Sequence, residues 1–285
     1  MAQSSDRPLS DHLSQRVWSD QDVDTTFGTP LDVNWLGLWT LYKKEVHRFF
    51  KVVTQTVLAP MATTLMFLAI FALALGRSDR QIGDLSFLEF LAPGLIMMAI
   101  VQNAFANTSS SIMIAKVQGN IVDYLMPPLS PKELVFGVIM GGVTRGVVVG
   151  AAVWLAMVFV VDIGVHSLPA IIFFTLAASV MLSLIGLIGA LWAEKFDQMA
   201  ALTNFVITPL SFLSGTFYSV EQLPNAFWLI AHINPFFYMI DGARYGFTGF
   251  SDTSPWIGVG VLLMVNVALW MGTLWLVRTG YRLRP

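Results

Sequence analysis

The chain has 285 residues, of which 55% are hydrophobic and only 12% charged, with a mean hydropathy of +0.68 and a formal charge of −2. That balance excludes a water-soluble globule with a charged surface. With no cysteine, it also excludes a disulfide framework, a thiolate metal site and a cysteine nucleophile.

Residues 1–33 hold six aspartates against Arg7 and Arg16 and show no periodicity, which predicts a disordered acidic tail. No short apolar core follows a basic start, so the segment does not read as a signal peptide. Asn34–Lys51 then predicts an amphipathic helix. Trp35, Leu38, Trp39, Tyr42, Val46 and Phe49 recur at helical spacing, and Thr40, Lys44, His47, Arg48 and Lys51 fall opposite. Aromatics opposite a basic face suit a helix lying in the headgroup layer, with Glu45 on the side offered to a cytoplasmic partner.

Five stretches lack any charge and are long enough to bridge about 30 Å of hydrocarbon: Val52–Gly76, Phe90–Ala115, Ser167–Ala193, Met199–Val220 and Thr253–Val277. A sixth, Leu134–Val161, carries only Arg145. With the N-terminus inside, Lys43, Lys44, Arg48, Lys51, Lys116, Lys132, Lys195, Arg278, Arg282 and Arg284 are cytoplasmic, and only Arg77, Arg80 and Arg244 are outside. That asymmetry predicts six crossings with both termini in the cytoplasm. Gln222–Ile240 is apolar but interrupted by Pro224, His232, Asn234 and Pro235, which predicts a re-entrant or interfacial hairpin before the last span. The expected fold is an all-α integral membrane protein: a cytoplasmic tail over residues 1–33 and a transmembrane domain over 34–285.

Several chemistries find no support in the residues. There is no GxxxxGK(S/T) phosphate loop, no HExxH or other paired spacing among the four histidines, and no GxSxG elbow. No catalytic and no metal-ligating set is expected. No span holds an Asp or Glu in its interior, which counts against a proton- or sodium-coupled carrier.

Polar residues within the spans are the candidate site. Span two carries Asn103, Asn107, Ser110 and Ser111 on one helical face, and span five carries Asn204, Thr208 and Ser211. Amides are costly toward lipid, so these faces turn to other helices or to a cavity. Hydrogen bonding between helices and lining of a substrate path both satisfy that requirement. Arg145 needs a partner as well; Glu194 and Asp197, at the inner ends of spans four and five, are the acids on its side, and an ion pair with Glu194 is expected.

The loop from Lys116 to Glu133 forms a short helix with Val117, Ile121 and Leu125 on one face, and Pro127, Pro128 and Pro131 then turn the chain into span three. Ser214-Gly215, Leu223-Pro224, Asn234-Pro235 and Arg244, with Phe90-Leu-Ala-Pro-Gly-Leu95 and Pro128-Leu-Ser-Pro131, together resemble the membrane subunit of ABC type-2 exporters, in the lipo-oligosaccharide and drug exporter branch. The resemblance runs from about Asn34 to Arg284.

The resemblance implies a permease of the bacterial inner membrane that moves a hydrophobic or amphipathic molecule. It implies no ATPase of its own: ATP and magnesium would be held by two cytoplasmic ATP-binding subunits, and a second permease copy would complete the transporter in contact with membrane lipids. Nucleic acid has no place in it. Glu45 and the loop residues Gly119, Asn120, Asp123 and Tyr124 would rest on the ATPases. Asn103, Asn107, Asn204, Thr208 and Ser211 would border the path, and Gly215, Pro224, Asn234, Pro235 and Arg244 would build its outer cap. Many relatives carry a glutamate where this chain has Val122, so an acidic contact to the ATPase would fall on Asp123. A lipid-linked polysaccharide permease and a membrane scaffold are the other readings.

Overall fold

A computed structural model describes residues 33–75, 81–82, 85–222 and 224–282. The acidic tail expected over 1–33 lies almost wholly outside the described residues, as do Arg77, Arg80, Leu223 and Arg284. The protein is an all-α integral membrane protein. Among the described residues, five helices are long and apolar enough to cross a bilayer.

The amphipathic helix α1 spans Trp35–Phe50, capped by the Asn34 side chain accepting from Gly37 N at 2.9 Å. Only part of its aromatic stripe packs. Trp35 and Trp39 remain 73% and 61% exposed, whereas Leu41, Glu45 and Phe49 are buried. The first crossing begins with a π-turn, Thr54–Leu58, and continues as α2, Ala59–Leu75. Gln81–Ile82 (β1) pairs antiparallel with Leu85–Ser86 (β2) in a minimal hairpin.

The long α3, Phe87–Val117, starts from a capping box between Ser86 and Glu89 and is the most buried crossing. A short α4, Val122–Leu125, follows, and then α5, Pro131–Met157, opened by a second capping box between Ser130 and Glu133. The Glu133 carboxylate also accepts from Asn34 N at 2.6 Å, tying the start of α1 to the start of α5. Next comes α6, Leu168–Trp192. Small residues allow α1, α3, α5 and α6 to approach closely. A Cβ on Gly141 would sit 2.5 Å from Glu45 Cβ, and one on Gly142 would sit 2.4 Å from Ser183 Oγ.

The expected span Met199–Val220 differs from the structure. The helix starts earlier and stops earlier, running as α7 (Phe196–Leu202), a π-turn (Thr203–Ile207) and α8 (Thr208–Phe212), about 26 Å in all. It ends because Gly215 adopts φ +72° and because Ser214 and Thr216 both donate to Ser211 O. Both π-turns lie just ahead of a proline, Pro60 and Pro209. A proline cannot donate to the carbonyl four residues back and its ring clashes with it, and a widened turn relieves that conflict. The stretch read as a hairpin holds α9 (Asn225–Ile233) and α10 (Pro235–Thr248), joined at Asn234, before the last crossing α11, Pro255–Arg278.

Candidate functional site: a cavity wall joined to the loop between α3 and α5

At the end of the bundle that carries the loop between α3 and α5, Glu45 of α1 is fully buried. Its Oε1 accepts from Ser111 Oγ of α3 at 2.6 Å and from the Tyr124 hydroxyl of α4 at 2.9 Å, while Oε2 pairs with Arg48 at 3.1 Å. Burial, and secondarily the Glu45 carboxylate, raise the Tyr124 phenol above its ordinary value, so it stays a proton donor. Lys44 Nζ sits 3.8 Å above the Tyr124 ring. One carboxylate thereby joins three segments far apart in sequence.

Within this chain the residues expected to rest on an ATPase divide into a buried pair and an exposed set. Glu45 and Tyr124 are buried and bonded to one another inside the chain, as a carboxylate at this depth is stable only when paired. Gly119, Asn120 and Asp123 are exposed and form the surface of the loop. Gly119 has φ +73°, the left-handed turn that ends the run of α3.

A cavity of about 580 Å³ lies between α3 and the broken α7–α8 helix. Asn103, Ser109 and Ser110 line one wall, and Thr203, Ile207 and Thr208 line the other. Of the expected path residues, Asn103 and Thr208 are therefore brought together. Asn107 and Ser211 are fully buried and lie outside the lining, and Asn204 is exposed on another face of its helix. Asn107 is drawn inward by Arg48, whose Nη2 donates to its backbone O at 2.7 Å and to its Oδ1 at 3.2 Å. Ser211 donates to Ile207 O at 2.7 Å, within its own helix. Arg48 Nη1 also donates to Ser110 Oγ at 3.0 Å, so the buried cluster reaches the cavity wall directly.

The expected Arg145–Glu194 ion pair does not form. Arg145 Nη2 donates to Asn103 Oδ1 at 3.0 Å, and Glu194 instead pairs with Arg282 at 3.3 Å. The reason is depth: Glu194 lies beyond the end of α6, whereas Arg145 lies about 21 Å along α5 from its start. The carbonyls at the end of α6 are taken by Lys116, which donates to Ala190 O, Leu191 O and Ala193 O at 3.1, 2.9 and 2.6 Å.

At the opposite end Arg244 is fully buried. Its Nη2 donates to Gly215 O at 2.6 Å, its Nε donates to Phe90 O at 3.3 Å, and its guanidinium lies 3.8 Å above the Phe90 ring. Asp241, one turn earlier on α10, is 3.7 Å from Nη1 and accepts from Asp252 N and Thr253 N. Asn234 donates to Leu210 O at 3.0 Å and accepts from Phe236 N at 3.0 Å, with Pro235 opening α10 behind it. Pro224 precedes α9 and is exposed. Gly215, Asn234, Pro235 and Arg244 therefore form one clasp between α8 and α10.

Sequence reasoning missed Asp241, Asp252, Arg48 and Lys116 as organising residues. The Asp241–Arg244 spacing of one helical turn is the local signal that points to the first. The Glu45–Arg48 spacing on α1 is the same kind of signal, whereas Asp252 and Lys116 find partners far away in the chain and leave none.

The family described as "ABC-2 type transporter" matches residues 37–248. The chain is 36% identical over 250 residues to the inner membrane transport permease YadH of Escherichia coli K12, covering 88% of this chain and 98% of that one. It is 25% identical to nodulation protein J of Rhizobium leguminosarum bv. viciae, covering 82% and 90%, and 25% identical to that of Rhizobium meliloti, covering 80% and 85%.

Proposed function

The chain belongs to the ABC-2 type transporter family as a membrane permease subunit, and from that premise we propose that it serves an ATP-driven exporter of a hydrophobic or amphipathic molecule. Two separate cytoplasmic ATP-binding subunits supply the hydrolysis, with ATP and magnesium held on them, and a second copy of the permease completes the complex. The site is the inner membrane, as the name of the Escherichia coli relative suggests, with both termini in the cytoplasm.

The observation that carries this reading is the chain of contacts from loop to cavity. The exposed residues Asn120 and Asp123 sit on the same short segment as Tyr124. Tyr124 bonds Glu45, Glu45 pairs with Arg48, and Arg48 bonds Ser110 on the cavity wall. A push on the loop is thereby delivered to α3 through buried, charge-assisted hydrogen bonds that do not yield elastically. The cavity itself mixes hydroxyl and amide groups with Phe105, Met113 and Ile207, a lining suited to a molecule with one polar and one apolar end.

The test is co-expression with the cognate ATPase, purification of the complex, and measurement of ATP hydrolysis in vesicles with and without alkyl amphiphiles. The double substitution Asn120→Ala and Asp123→Ala is expected to insert normally and to lose most of the stimulation. Full stimulation by that variant would remove the loop from the coupling path. Failure of any ATPase to copurify would remove the exporter reading.

A further inference from the structure

Two guanidiniums approach the same wall of the cavity. Arg48 bonds Ser110, and Arg145 bonds Asn103, two helical turns earlier on α3. Their electrostatic situations differ. Arg48 is neutralised by Glu45. Arg145 has no carboxylate within salt-bridge distance among the described residues; its Nε, like that of Arg48, is buried with no hydrogen-bond partner. An amide oxygen satisfies one N–H of Arg145 but does not cancel its charge.

A second copy of the chain is poorly equipped to supply the missing charge. The spans contain no Asp or Glu in their interiors. Of the acids that flank them, Glu45 is held by Arg48 and Glu194 by Arg282, and Glu89 and Glu133 are held in capping boxes, while Asp123, Asp162, Asp197 and Glu221 are exposed at the ends of the helices and outside the cavity lining. An isolated cation in the hydrocarbon region is costly and draws a counter-charge or water to itself. The cavity, one side chain away through Asn103, is where such a group enters.

We propose that the cavity between α3 and the α7–α8 helix takes an anionic amphiphile, whose phosphate, sulfate or carboxylate head sits against Asn103 and Ser110 and supplies the counter-charge that Arg145 lacks. This rests on the exporter reading of the cavity and narrows its substrate class. Arg145 is a positioning residue here: it orients the Asn103 amide and sets the sign of the potential at the wall. The apolar part of the molecule lies along Phe105, Met113 and Ile207.

The experiment is native mass spectrometry of the purified full chain with three probes: dioctanoyl phosphatidic acid, dioctanoyl phosphatidylcholine and inorganic phosphate. The wild type is expected to retain the anionic lipid about tenfold better than the zwitterionic one and to ignore inorganic phosphate. Arg145→Gln, which keeps a hydrogen bond to Asn103, is expected to lose the preference while still binding both lipids. Arg145→Lys is expected to keep it. Equal retention of the two lipids by the wild type, or an unchanged preference in Arg145→Gln, overturns the proposal while leaving an amphiphile cavity in place. Binding of inorganic phosphate alone overturns it in favour of a free-anion site. Retention of neither lipid removes both this proposal and the cavity as a substrate path. A melting temperature recorded for each variant separates loss of binding from loss of fold.

Discussion

The Tyr124 hydroxyl donates to the Glu45 carboxylate across 2.9 Å, joining residues 79 positions apart, and Ser111 completes the triangle at 2.6 Å from the same oxygen. The loop between α3 and α5 is thus fastened to the N-terminal helix and to the most buried crossing by one atom. A loop held in this way moves with the helices it touches.

Removing either partner of that contact has unequal consequences. Tyr124→Phe deletes one hydrogen bond to a charge and is expected to cost about 1.5–3 kcal/mol. Glu45→Ala leaves Arg48 without its carboxylate and is expected to cost about 3–5 kcal/mol. Thermal unfolding in detergent measures the order; equal effects would show that the carboxylate is not organising the cluster. The raised Tyr124 phenol carries a sign: its contribution is complete below about pH 10, the unfolded value, and is lost as pH rises beyond it. Wild type and Tyr124→Phe are therefore expected to differ by a constant amount between pH 7 and 9 and to converge at higher pH.

Gly141 permits the contact of α1 with α5. Even Gly141→Ala places a carbon 2.5 Å from Glu45 Cβ, so one helix must shift. The expected cost is about 1–3 kcal/mol, and larger for Gly141→Val. Gly272, whose added carbon meets nothing within 4 Å, is the control, and Gly272→Ala is expected to leave the melting temperature unchanged or slightly raised.

Arg244→Lys is not a conservative change at the clasp between α8 and α10. The guanidinium reaches Gly215 O, Phe90 O and Asp241 at once while stacking on Phe90, and an ammonium has no planar fork to match. Arg244→Ala is expected to cost about 3–5 kcal/mol by leaving Asp241 buried without its cation. Arg244→Lys is expected to recover less than half of that loss. Yield of folded protein by size-exclusion chromatography gives the readout, and full recovery by lysine would show that charge alone matters.

The proposed topology is testable without background labelling, because the native chain has no cysteine. Cysteine at Arg282 is expected to resist an impermeant thiol reagent applied from outside intact cells, and cysteine at Glu221, which is exposed, is expected to react. The reverse pattern would invert the protein in the membrane.

The sequence by itself determined that this is a membrane protein, where most of its crossings run and that an amphipathic helix precedes them. Those properties depend on the local density and periodicity of apolar residues, which a chain carries whatever it packs against. It also held the motifs that mark the family. What only the tertiary structure decided was which polar group meets which. Helical spacing put Asn103 and Asn107 on one face, yet Asn103 lines a cavity and Asn107 is turned inward by Arg48. The reach of Met199–Val220 also escaped a reading of hydropathy, because Gly215 and the Ser214 and Thr216 hydroxyls stop the helix within an apolar run. Sequence position points Arg145 to Glu194, but depth along two different helices gives that acid to Arg282. Charged groups in a medium of low dielectric choose partners by distances of a few ångströms in three dimensions, and those distances are set by the close packing that glycines such as Gly141 allow.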